Sequence, residues 1–383
     1  MVVAVFGECG VTLGVLSTIG ILFCGDMLEH KSMKILFFRH SFLSRGGDKM
    51  IAIHASYLAE QGHEVTIAAN VHDTVFPVSD RVKIERISGG GKLGTICRAV
   101  LVSYQYDVVI ADIITMIFLL MVRNRTKLVY FAQDYDESYY ESGFAKMLIR
   151  SIYMICLRIL AIPVLAVSSE LAEILRARFK AQVALAENGV DEQQFFPDPA
   201  QSLVALKAGK KAILLLSRSD KRKGFDLGIE VIQRVAASNP DFVVWSVGEK
   251  ATGVFGEIPH QDFGYVRGDE LRRIMSSADI LLYPSRHEGF PLMILEAFDC
   301  KLPVVTTKAV SLACHRENAL VAGLEDIDTL SRMLLELLDD DILADQLAAA
   351  AVVFAADHSM NKATAVFESH LLRRVECCWA GHS

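Results

Sequence analysis

Two glutamates eight residues apart mark the segment with the clearest chemistry. Residues 285–296 read SRHEGFPLMILE, with Glu288 near the start and Glu296 at the end. Pro291 suits the first turn of a helix, where its missing N–H costs no hydrogen bond. The helix that follows is apolar on nearly every side, which indicates burial, and a buried carboxylate needs a partner. Glu296 therefore pairs either with an internal Lys or Arg or with a ligand, and we expect Glu288 to lie where free helix N–H groups attract anions.

A basic loop occurs earlier in the same half of the chain. Residues 214–226 read LLLSRSDKRKGFD and place Arg218, Lys221, Arg222 and Lys223 between a predicted strand and a predicted helix. Fixed cations stabilise a departing diphosphate, because negative charge grows on it as its bond breaks. Arginine forks onto phosphate oxygens, whereas lysine acts as a point charge. We favour such a ligand for Arg218 and Lys223, and a solvated turn for Lys221 and Arg222.

A double glycine follows the first predicted strand. In residues 44–50, SRGGDKM, Gly46 and Gly47 lead directly into a predicted helix. Glycines at this junction allow a ligand to approach the backbone and the helix N-terminus. An ordinary strand–helix turn has similar weight, because the spacing is not that of a dinucleotide-binding loop.

An acidic and aromatic segment follows a later strand of the first half. Residues 131–140 read FAQDYDESYY and include Asp134, Tyr135 and Asp136. Carboxylates hydrogen-bond sugar hydroxyls, and aromatic rings pack against sugar C–H groups. A solvated acidic loop is the alternative. We favour contact with an acceptor, because loops at this edge of a sheet usually carry function.

Composition narrows the class of protein. The chain has 383 residues, of which 52% are apolar and 22% charged, so it predicts two globular domains with large cores. The net charge of −7 argues against nucleic acid as a main partner. The eight cysteines form no CxxC pair or Cys/His cluster. That pattern predicts reduced thiols in the cytoplasm and no metal site.

The first 32 residues differ from the rest. From Cys9 to Gly25 the chain carries no charge and is largely apolar, which is near the lower limit for a membrane span. A short membrane anchor and an upstream extension outside the fold are the alternatives. We favour the extension, because Met33 opens the first predicted core strand.

From Met33 onward short apolar runs alternate with helical segments, which predicts doubly wound α/β sheets covered on both faces. The predicted strands are 34–39, 64–69, 82–87, 107–111, 127–132, 163–167, 182–187, 212–217, 241–247, 279–284 and 303–307. The predicted helices are 49–61, 94–105, 144–160, 169–179, 225–237, 268–277, the segment after Pro291, 326–338, 341–355 and 360–376. Residues 196–210 contain two prolines and close no clear strand, so we interpret them as the link between two domains.

One predicted helical stretch, residues 144–162, combines apolar side chains with Lys146, Arg150 and Arg158. Attachment to the anionic inner face of a membrane is one interpretation. A crossover helix with solvated cations is the other, and we favour it slightly.

Taken together, these motifs resemble the retaining glycosyltransferases of family 4, which have the GT-B fold of two Rossmann-like domains facing across a cleft. The resemblance covers most of residues 33–370 and is stronger in the second half. Its motifs are Gly46-Gly47, GHEV (62–65), NGVDEQQFFP (188–197), SRSDKRKGFD (217–226), FGYV (263–266), ADILLYPSRHEGFPLMILEAF (278–298) and PVVTT (303–307). The segment QDYDESYY also resembles one found in bacterial polysaccharide transferases of this family.

The resemblance implies an acceptor-binding domain over residues 33–199, a nucleotide-sugar-binding domain over 200–359, and a last helix, 360–383, that crosses back to the first domain. It implies donor contacts from both domains, at Gly46, Gly47, Arg218, Lys223, Tyr265, Val266, Glu288, Gly289, Phe290 and Glu296. Arg218 and Lys223 would hold the diphosphate, and Glu288 would face the sugar.

Further roles follow from the same resemblance. Glu296 would bind the ribose hydroxyls, while Tyr265 and Val266 would line the base pocket. The sequence departs from the family at Ser217 and Lys301, where glycine is common, and it offers no first-domain histidine that we can assign to the reacting sugar. No metal or cofactor is implied, because protein cations would neutralise the diphosphate.

We therefore expect a metal-independent, retaining glycosyltransferase that uses a nucleotide diphosphate sugar and a saccharide or lipid-linked acceptor in polysaccharide or glycoconjugate synthesis. The expected catalytic residues are Glu288, Arg218 and Lys223. A sugar-nucleotide epimerase of the same architecture and a catalytically silent nucleotide-binding subunit remain alternatives. Peripheral contact with the inner face of a membrane is also expected if the helix at 144–162 binds lipid.

Overall fold

A computed structural model describes residues 32–43, 45–87 and 91–380, the last five without their side chains. The predicted N-terminal extension therefore lies almost wholly outside the described residues, and its nature stays a prediction. Within the described part of the chain, no helix combines the length and apolarity that crossing a bilayer requires.

Parallel strands form the framework. The described strands are β1 Lys34–Phe38, β2 Ser41–Phe42, β3 Glu64–Ala69, β4 Val71–His72, β5 Lys83–Arg86, β6 Val108–Ala111, β7 Leu128–Ala132, β8 Val164–Ala166, β9 Val183–Leu185, β10 Lys211–Ser217, β11 Phe242–Gly248, β12 His260–Asp262, β13 Ile280–Tyr283, β14 Val304–Thr307 and β15 Leu320–Ala322. One sheet has the order β5-β3-β1-β6-β7-β8-β9, and a second has the order β12-β11-β10-β13-β14-β15. The short strands β2 and β4 pair separately.

Helices cover both faces of the two large sheets. The described helices are α1 Gly46–Glu60, α2 Gly91–Leu101, α3 Ile114–Asn124, α4 Gly143–Tyr153, α5 Ser169–Phe179, α6 Gln201–Leu206, α7 Phe225–Ser238, α8 Gly268–Ser277, α9 Leu292–Asp299, α10 Ile327–Asp339, α11 Asp341–Ala356 and α12 Met360–Ala380. A π-helical segment, Met154–Ile159, extends α4. We call the part around the first sheet the N-terminal domain and the part around the second the C-terminal domain; the two sheets belong to one compact unit.

The apolar runs explain the sheets. In β10 and β11 nearly every side chain is buried, as expected for parallel strands covered on both faces. The first sheet is enclosed by one continuous apolar core, and the second has a core on each face. The predicted α/β fold of two doubly wound sheets is thus confirmed.

Several elements were not predicted from the sequence: the strands β2, β4, β12 and β15 and the helices α3 and α6. The stretch 196–210, predicted as a plain link, contains the short helix α6. Pro291 is the residue before α9 rather than part of its first turn.

The chain passes twice between the domains, and main-chain hydrogen bonds join the two connecting segments. The Val190 N–H donates to the His358 carbonyl at 2.9 Å, and the Met360 N–H donates to the Val190 carbonyl at 2.8 Å. Helix α12 then packs on the N-terminal domain, where Phe367 and Leu371 are fully buried in the first core. The two domains are therefore joined by two main-chain segments that are hydrogen-bonded to each other.

A buried histidine lies where α1 meets α12. His54 stacks on Phe367 with ring centroids 4.1 Å apart and meets the Phe131 ring edge-on. Neither of its ring nitrogens has a hydrogen-bond partner among the described residues. Burial lowers the pKa of His54 from its ordinary 6.5 to about 3, so the folded protein holds this side chain neutral.

This histidine predicts a pH-dependent stability. Below about pH 6.5, His54 is protonated in the unfolded chain but stays neutral in the folded chain. The free energy of unfolding therefore falls as the pH falls, by up to roughly 1.4 kcal/mol per pH unit. We expect His54→Phe to remove this contribution, so that denaturant unfolding between pH 6.5 and 5 changes less steeply than in wild type. His315→Phe, at an exposed histidine, is the control. The same pH dependence of the free energy of unfolding in His54→Phe and in wild type would contradict the prediction.

Candidate functional site

The predicted site residues follow the C-terminal ends of strands in both sheets. Arg218 follows β10, and the loop 284–291 follows β13. In the N-terminal domain, Asp112 follows β6 and Asp134 follows β7 closely. Ligands of doubly wound sheets bind at these ends, so the topology alone gathers these residues at one cleft.

The basic loop of the C-terminal domain has a fixed shape. Residues Lys221–Lys223 form one turn of 3₁₀ helix, closed when the Asp220 side chain accepts from the Arg222 N–H. Gly224 then adopts a left-handed conformation with φ of 68°, and a Cβ there would lie 1.9 Å from the Pro284 carbonyl oxygen. Only glycine meets both requirements. The basic loop is therefore held directly against the loop that carries Glu288.

Glu288 is almost completely enclosed, with 4% of its side chain exposed. Lys223 Nζ lies 2.8 Å from Glu288 Oε2. The hydroxyl groups of Tyr283 and Ser285 both donate to Oε1, at 2.9 and 2.7 Å. A carboxylate with three donors is fully compensated, so it holds Lys223 in one position beside the cleft.

Arg218 contrasts with Lys223. It is half-buried, and it forms no ion pair with any of the residues that the structure describes. Its guanidinium lies 5.5 Å from the centre of the Tyr265 ring, and Tyr265 itself is 60% exposed. An uncompensated cation at a cleft is suited to an anionic ligand.

Glu296 has a partner from the other domain. Lys49 Nζ, in the first turn of α1, lies 2.7 Å from Glu296 Oε1. Of the two alternatives that the sequence left open, an internal lysine is thus present. The second carboxylate oxygen, Oε2, accepts no hydrogen bond from the described residues, so the site also has room for a ligand hydroxyl.

Two adjoining cavities of about 500 and 510 Å³ lie between the domains. We call the first the Glu296 cavity, because Lys49, Tyr265, Val266 and Glu296 line it. We call the second the Glu288 cavity; residues that line it include Gly47, Asp112, Asp134, Asp136, Lys223, Glu288, Gly289 and Phe290. Gly46, Leu216, Arg218, Leu292 and Met293 line both. Together the cavities offer an apolar and a more polar compartment that share Arg218.

Two of the predicted glycines, Gly46 and Gly289, lie against the opposite domain, whereas the neighbour of Gly47 belongs to its own domain. A Cβ on Gly289 would lie 2.2 Å from the Gln133 carbonyl oxygen, and one on Gly47 would lie 2.9 Å from the Gln133 side chain. Gly46 has more space, with Leu292 of the other domain 3.9 Å away. Phe290 packs against the cores of both domains.

Asp134 joins the two domains. His287 Nε2 lies 2.7 Å from its Oδ1, and Arg222 Nη1 donates to its Oδ2 at 3.0 Å. Burial acts to raise the pKa of Asp134, but the hydrogen bonds from His287 and Tyr139 and the charge of Arg222 outweigh it, so the pKa lies below its ordinary value. Arg222 also lies over the Tyr139 ring. The predicted solvated turn is therefore wrong for Arg222, because Asp134 and Tyr139 bind it.

The other two predicted acceptor residues are more buried than an acidic loop would suggest. Asp136 accepts from the Ile114 N–H and the Tyr130 hydroxyl, and burial raises its pKa to about 7. Tyr135 stacks on Tyr153 inside the N-terminal core. Tyr135 lines neither of these two cavities; it lines a smaller one of about 120 Å³ together with Asp134 and Glu288. Its contact with an acceptor therefore stays a prediction. The neighbouring Tyr139 and Tyr140 line the Glu288 cavity instead.

Further polar residues were missed from the sequence. Arg39 bridges Asp48 and Asp112, and Gln133 donates to Asp112 at 3.1 Å. Lys49 was also missed, although helical spacing places it on the same face as Gly46, three residues earlier. Burial raises the pKa of Asp112, while the charge of Arg39 opposes that rise. No histidine lines the two cavities within the described ranges.

The described residues contain no group of three or more His, Cys, Asp or Glu side chains placed to hold a metal ion. Lys223 lines the Glu288 cavity, and Arg218 lines both cavities. Both side chains are therefore available to bind an anion in the Glu288 cavity.

Comparisons with known proteins agree with this architecture. Residues 210–340 match the family model described as Glycosyl transferases group 1. The gpi3 subunit of phosphatidylinositol N-acetylglucosaminyltransferase from Schizosaccharomyces pombe is 32% identical over 186 residues, which are 44% of this chain and 40% of that protein. O-antigen chain mannosyltransferase B from Escherichia coli is 34% identical over 125 residues, 32% of each protein.

The likeness to solved structures extends further along the chain. The Anabaena protein HepE, solved in complex with UDP and glucose, has a TM-score of 0.71 and 17% identity, covering 88% of this chain and 99% of that one. A sequence identity of 17% supports a shared fold and no shared function. The chain spans less than half the length of the curated relatives it matches. Residues 210–340 of this chain are thus similar to the group 1 glycosyltransferases, and the two domains together have the GT-B fold.

Proposed function

We propose that this protein is a retaining glycosyltransferase that moves a sugar from a nucleotide diphosphate sugar to a hydroxyl group of a saccharide or lipid-linked acceptor. One observation carries the proposal above the others. Lys223, held on the enclosed Glu288, lines the Glu288 cavity together with Arg218, which has no ion pair among the described residues and also lines the Glu296 cavity. Cations in that position stabilise the charge of a departing diphosphate.

The reaction assigns a task to each group. The bond between the anomeric carbon and the diphosphate oxygen breaks, and its electron pair leaves with that oxygen beside Arg218 and Lys223. The acceptor oxygen forms the new bond on the same face of the sugar, and its proton passes to the departing phosphate. Glu288 faces the donor sugar, and the cations of the protein replace a metal ion.

The Glu296 cavity is assigned to the nucleoside. Its free carboxylate oxygen suits a ribose hydroxyl, while Tyr265 and Val266 supply surface for a base. HepE, a protein of the same fold, was solved with UDP, which supports a nucleotide as a ligand of this chain. Gly46 and Gly47 bring the first turn of α1 close to the diphosphate, where free N–H groups attract anions.

The acceptor is assigned to the N-terminal side of the Glu288 cavity, near Asp134 and Asp136. Tyr139 and Tyr140 extend this surface towards α4. Phe144, Met147 and Leu148 of α4 are exposed, and such apolar side chains suit the lipid of a lipid-linked acceptor and peripheral contact with the inner face of a membrane. Polysaccharide or glycoconjugate synthesis in the cytoplasm is the setting that fits these features.

Nucleotide binding tests the proposal without knowledge of the acceptor. We expect one of UDP, GDP, ADP and dTDP to raise the melting temperature by a few °C, because a ligand at a hundred times its Kd stabilises the folded form by about 2.7 kcal/mol. The increase should be equal in excess EDTA and in Mg²⁺, since protein cations hold the diphosphate. Absence of any shift, or a shift that needs Mg²⁺, would count against it.

The sugar nucleotide that corresponds to the best ligand then separates the alternatives. Incubated without acceptor, a transferase leaves the sugar unchanged or releases it slowly with the nucleoside diphosphate. An epimerase converts the donor into a stereoisomer, and a silent subunit does neither. Release of the free sugar is the result that we expect.

A further inference from the structure

The ion pair between Lys49 and Glu296 joins the two domains through two side chains that are largely shielded from solvent. Only 19% of the Lys49 side chain and 10% of the Glu296 side chain are exposed. The two residues come from different domains, and each lines the Glu296 cavity. Taking two charges out of water is costly unless they are paired and otherwise satisfied, so the geometry of this pair determines which ligands the cavity accepts.

The bonding of the pair is incomplete on both sides. Glu296 uses Oε1 for Lys49, and Oε2 accepts no hydrogen bond from the described residues. An ammonium group has three donors. Lys49 uses one on Glu296, and its Nζ lies 5.1 Å from the centre of the Phe195 ring. The pair therefore presents one free acceptor and at least one free donor to the cavity.

That combination is suited to adjacent hydroxyl groups. One hydroxyl donates to Glu296 Oε2, and its own oxygen or that of its neighbour accepts from Lys49. A carboxylate with both oxygens free would bind two hydroxyls with no contribution from the N-terminal domain. With Lys49 in place, binding of the same hydroxyls involves both domains at once.

We infer that Lys49 is a positioning and specificity-determining residue of the N-terminal domain, which binds the ribose hydroxyls together with Glu296 and couples nucleotide binding to closure of the cleft. This inference rests on the proposed function, because it needs a ribonucleotide in the Glu296 cavity. It adds to that function a contact from the opposite domain and a preference for ribose over deoxyribose.

The placement of Lys49 supports the coupling. It lies in the first turn of α1, three residues after Gly46, whose neighbour across the cleft is Leu292 of α9. Glu296 lies one turn further along α9. Two helix beginnings thus face one another, and the ion pair spans them. A ligand that binds the pair holds α1 and α9 at this separation.

Affinity measurements with Lys49→Gln test the inference. Isothermal titration is done with UDP, GDP and ADP and with the 2′-deoxy and 3′-deoxy forms of the best ligand. We expect the wild type to prefer the ribonucleotide. We expect Lys49→Gln to weaken its binding by about tenfold to a hundredfold, the effect of losing one charged hydrogen bond, and to reduce the ribose-to-deoxyribose ratio towards one.

Two variants complete the design. Lys34→Gln removes a lysine of the same domain whose ion pair with Glu64 is solvent-exposed, and it should match wild type. Lys49→Arg keeps the charge and should retain more of the ribose preference; it supplies the comparison should the glutamine variant not fold. An unchanged ratio in Lys49→Gln, with or without an equal loss for both sugars, overturns the inference, whereas no binding to wild type overturns the proposed function beneath it.

Discussion

Replacing Lys223 by alanine is expected to reduce turnover by on the order of a hundredfold to a thousandfold, the effect of removing one group that stabilises developing negative charge. Lys223 Nζ lies 2.8 Å from Glu288 Oε2, and both residues line the Glu288 cavity. Arg218 remains in the variant, so binding of the donor should weaken less than the chemical step. Steady-state kinetics with the sugar nucleotide identified by thermal shift would separate kcat from KM.

The variant should still fold. Glu288 keeps the hydroxyl donors of Tyr283 and Ser285 when Lys223 is removed, although an enclosed carboxylate without its cation lowers stability. The melting temperature and the nucleotide-induced shift report on that loss directly. Low turnover in a folded, nucleotide-binding variant is the expected combination.

Lys221 provides a matched control for this prediction. It is a lysine of the same 3₁₀ turn, two residues earlier, and its side chain is exposed with no ion pair among the described residues. Lys221→Ala should therefore have the turnover of wild type. Near-normal turnover in Lys223→Ala, or an equal loss in both variants, would contradict the role assigned to Lys223.

The main strands and helices were predictable because their physical signal is local. Continuous apolar runs such as 212–217 and 241–247 predicted β10 and β11 to within a residue. Helix α9 was predictable from Pro291 and the apolar run that follows it. A strand that is buried on both faces has a continuous run of apolar side chains. That run can be recognised in the sequence without knowledge of the strand's neighbours.

The elements that were missed lack such a signal. Strand β12 has the sequence HQD and lies at the edge of its sheet, where pairing with one neighbour defines it. Helix α3 is apolar along nearly its whole length, with the sequence ITMIFLLMVRN, so its period is weak. The helix α6 has only six residues, follows two prolines and packs beside α8.

The candidate site divides in the same manner. The sequence predicted Arg218 and Lys223 from a basic loop after a strand, and Glu288 from its place before a helix. The strands that those loops follow, β10 and β13, pair in one sheet. The sequence did not predict which residue pairs with Glu296, because Lys49 lies 247 positions earlier in the chain. The partner of Arg222 is likewise 88 positions away, at Asp134. Contacts across the cleft depend on how two domains meet, which local sequence patterns do not encode.

Gly289→Ala, which adds a single methyl group, is expected to cause the second large loss of activity. The loop that carries Glu288 meets the N-terminal domain here, and a Cβ would lie 2.2 Å from the Gln133 carbonyl oxygen and 3.1 Å from the Asp134 Cα. Both obstacles are main chain, so no change of rotamer relieves them. Gly289→Ala must therefore move the loop away from the N-terminal domain.

That movement should reduce kcat/KM by about a hundredfold, because a displacement of about 1 Å in a catalytic arrangement has an effect of that size. It stretches the bond between His287 and Asp134 and displaces Glu288 together with Lys223. The separate domains should remain folded, with a loss of stability of roughly 1–3 kcal/mol from overpacking. Kinetics and denaturant unfolding measure the two effects independently.

Two comparisons isolate the steric cause. Gly143→Ala adds a methyl group where nothing lies within 4 Å, so it should be silent. Gly47→Ala meets only the flexible end of the Gln133 side chain, so adding Gln133→Ala should relieve it. The same second change should not rescue Gly289→Ala, whose obstacle is the carbonyl that alanine retains. Rescue there, or wild-type kinetics in Gly289→Ala, would mean that the two domains are not in contact at this loop when the reaction takes place.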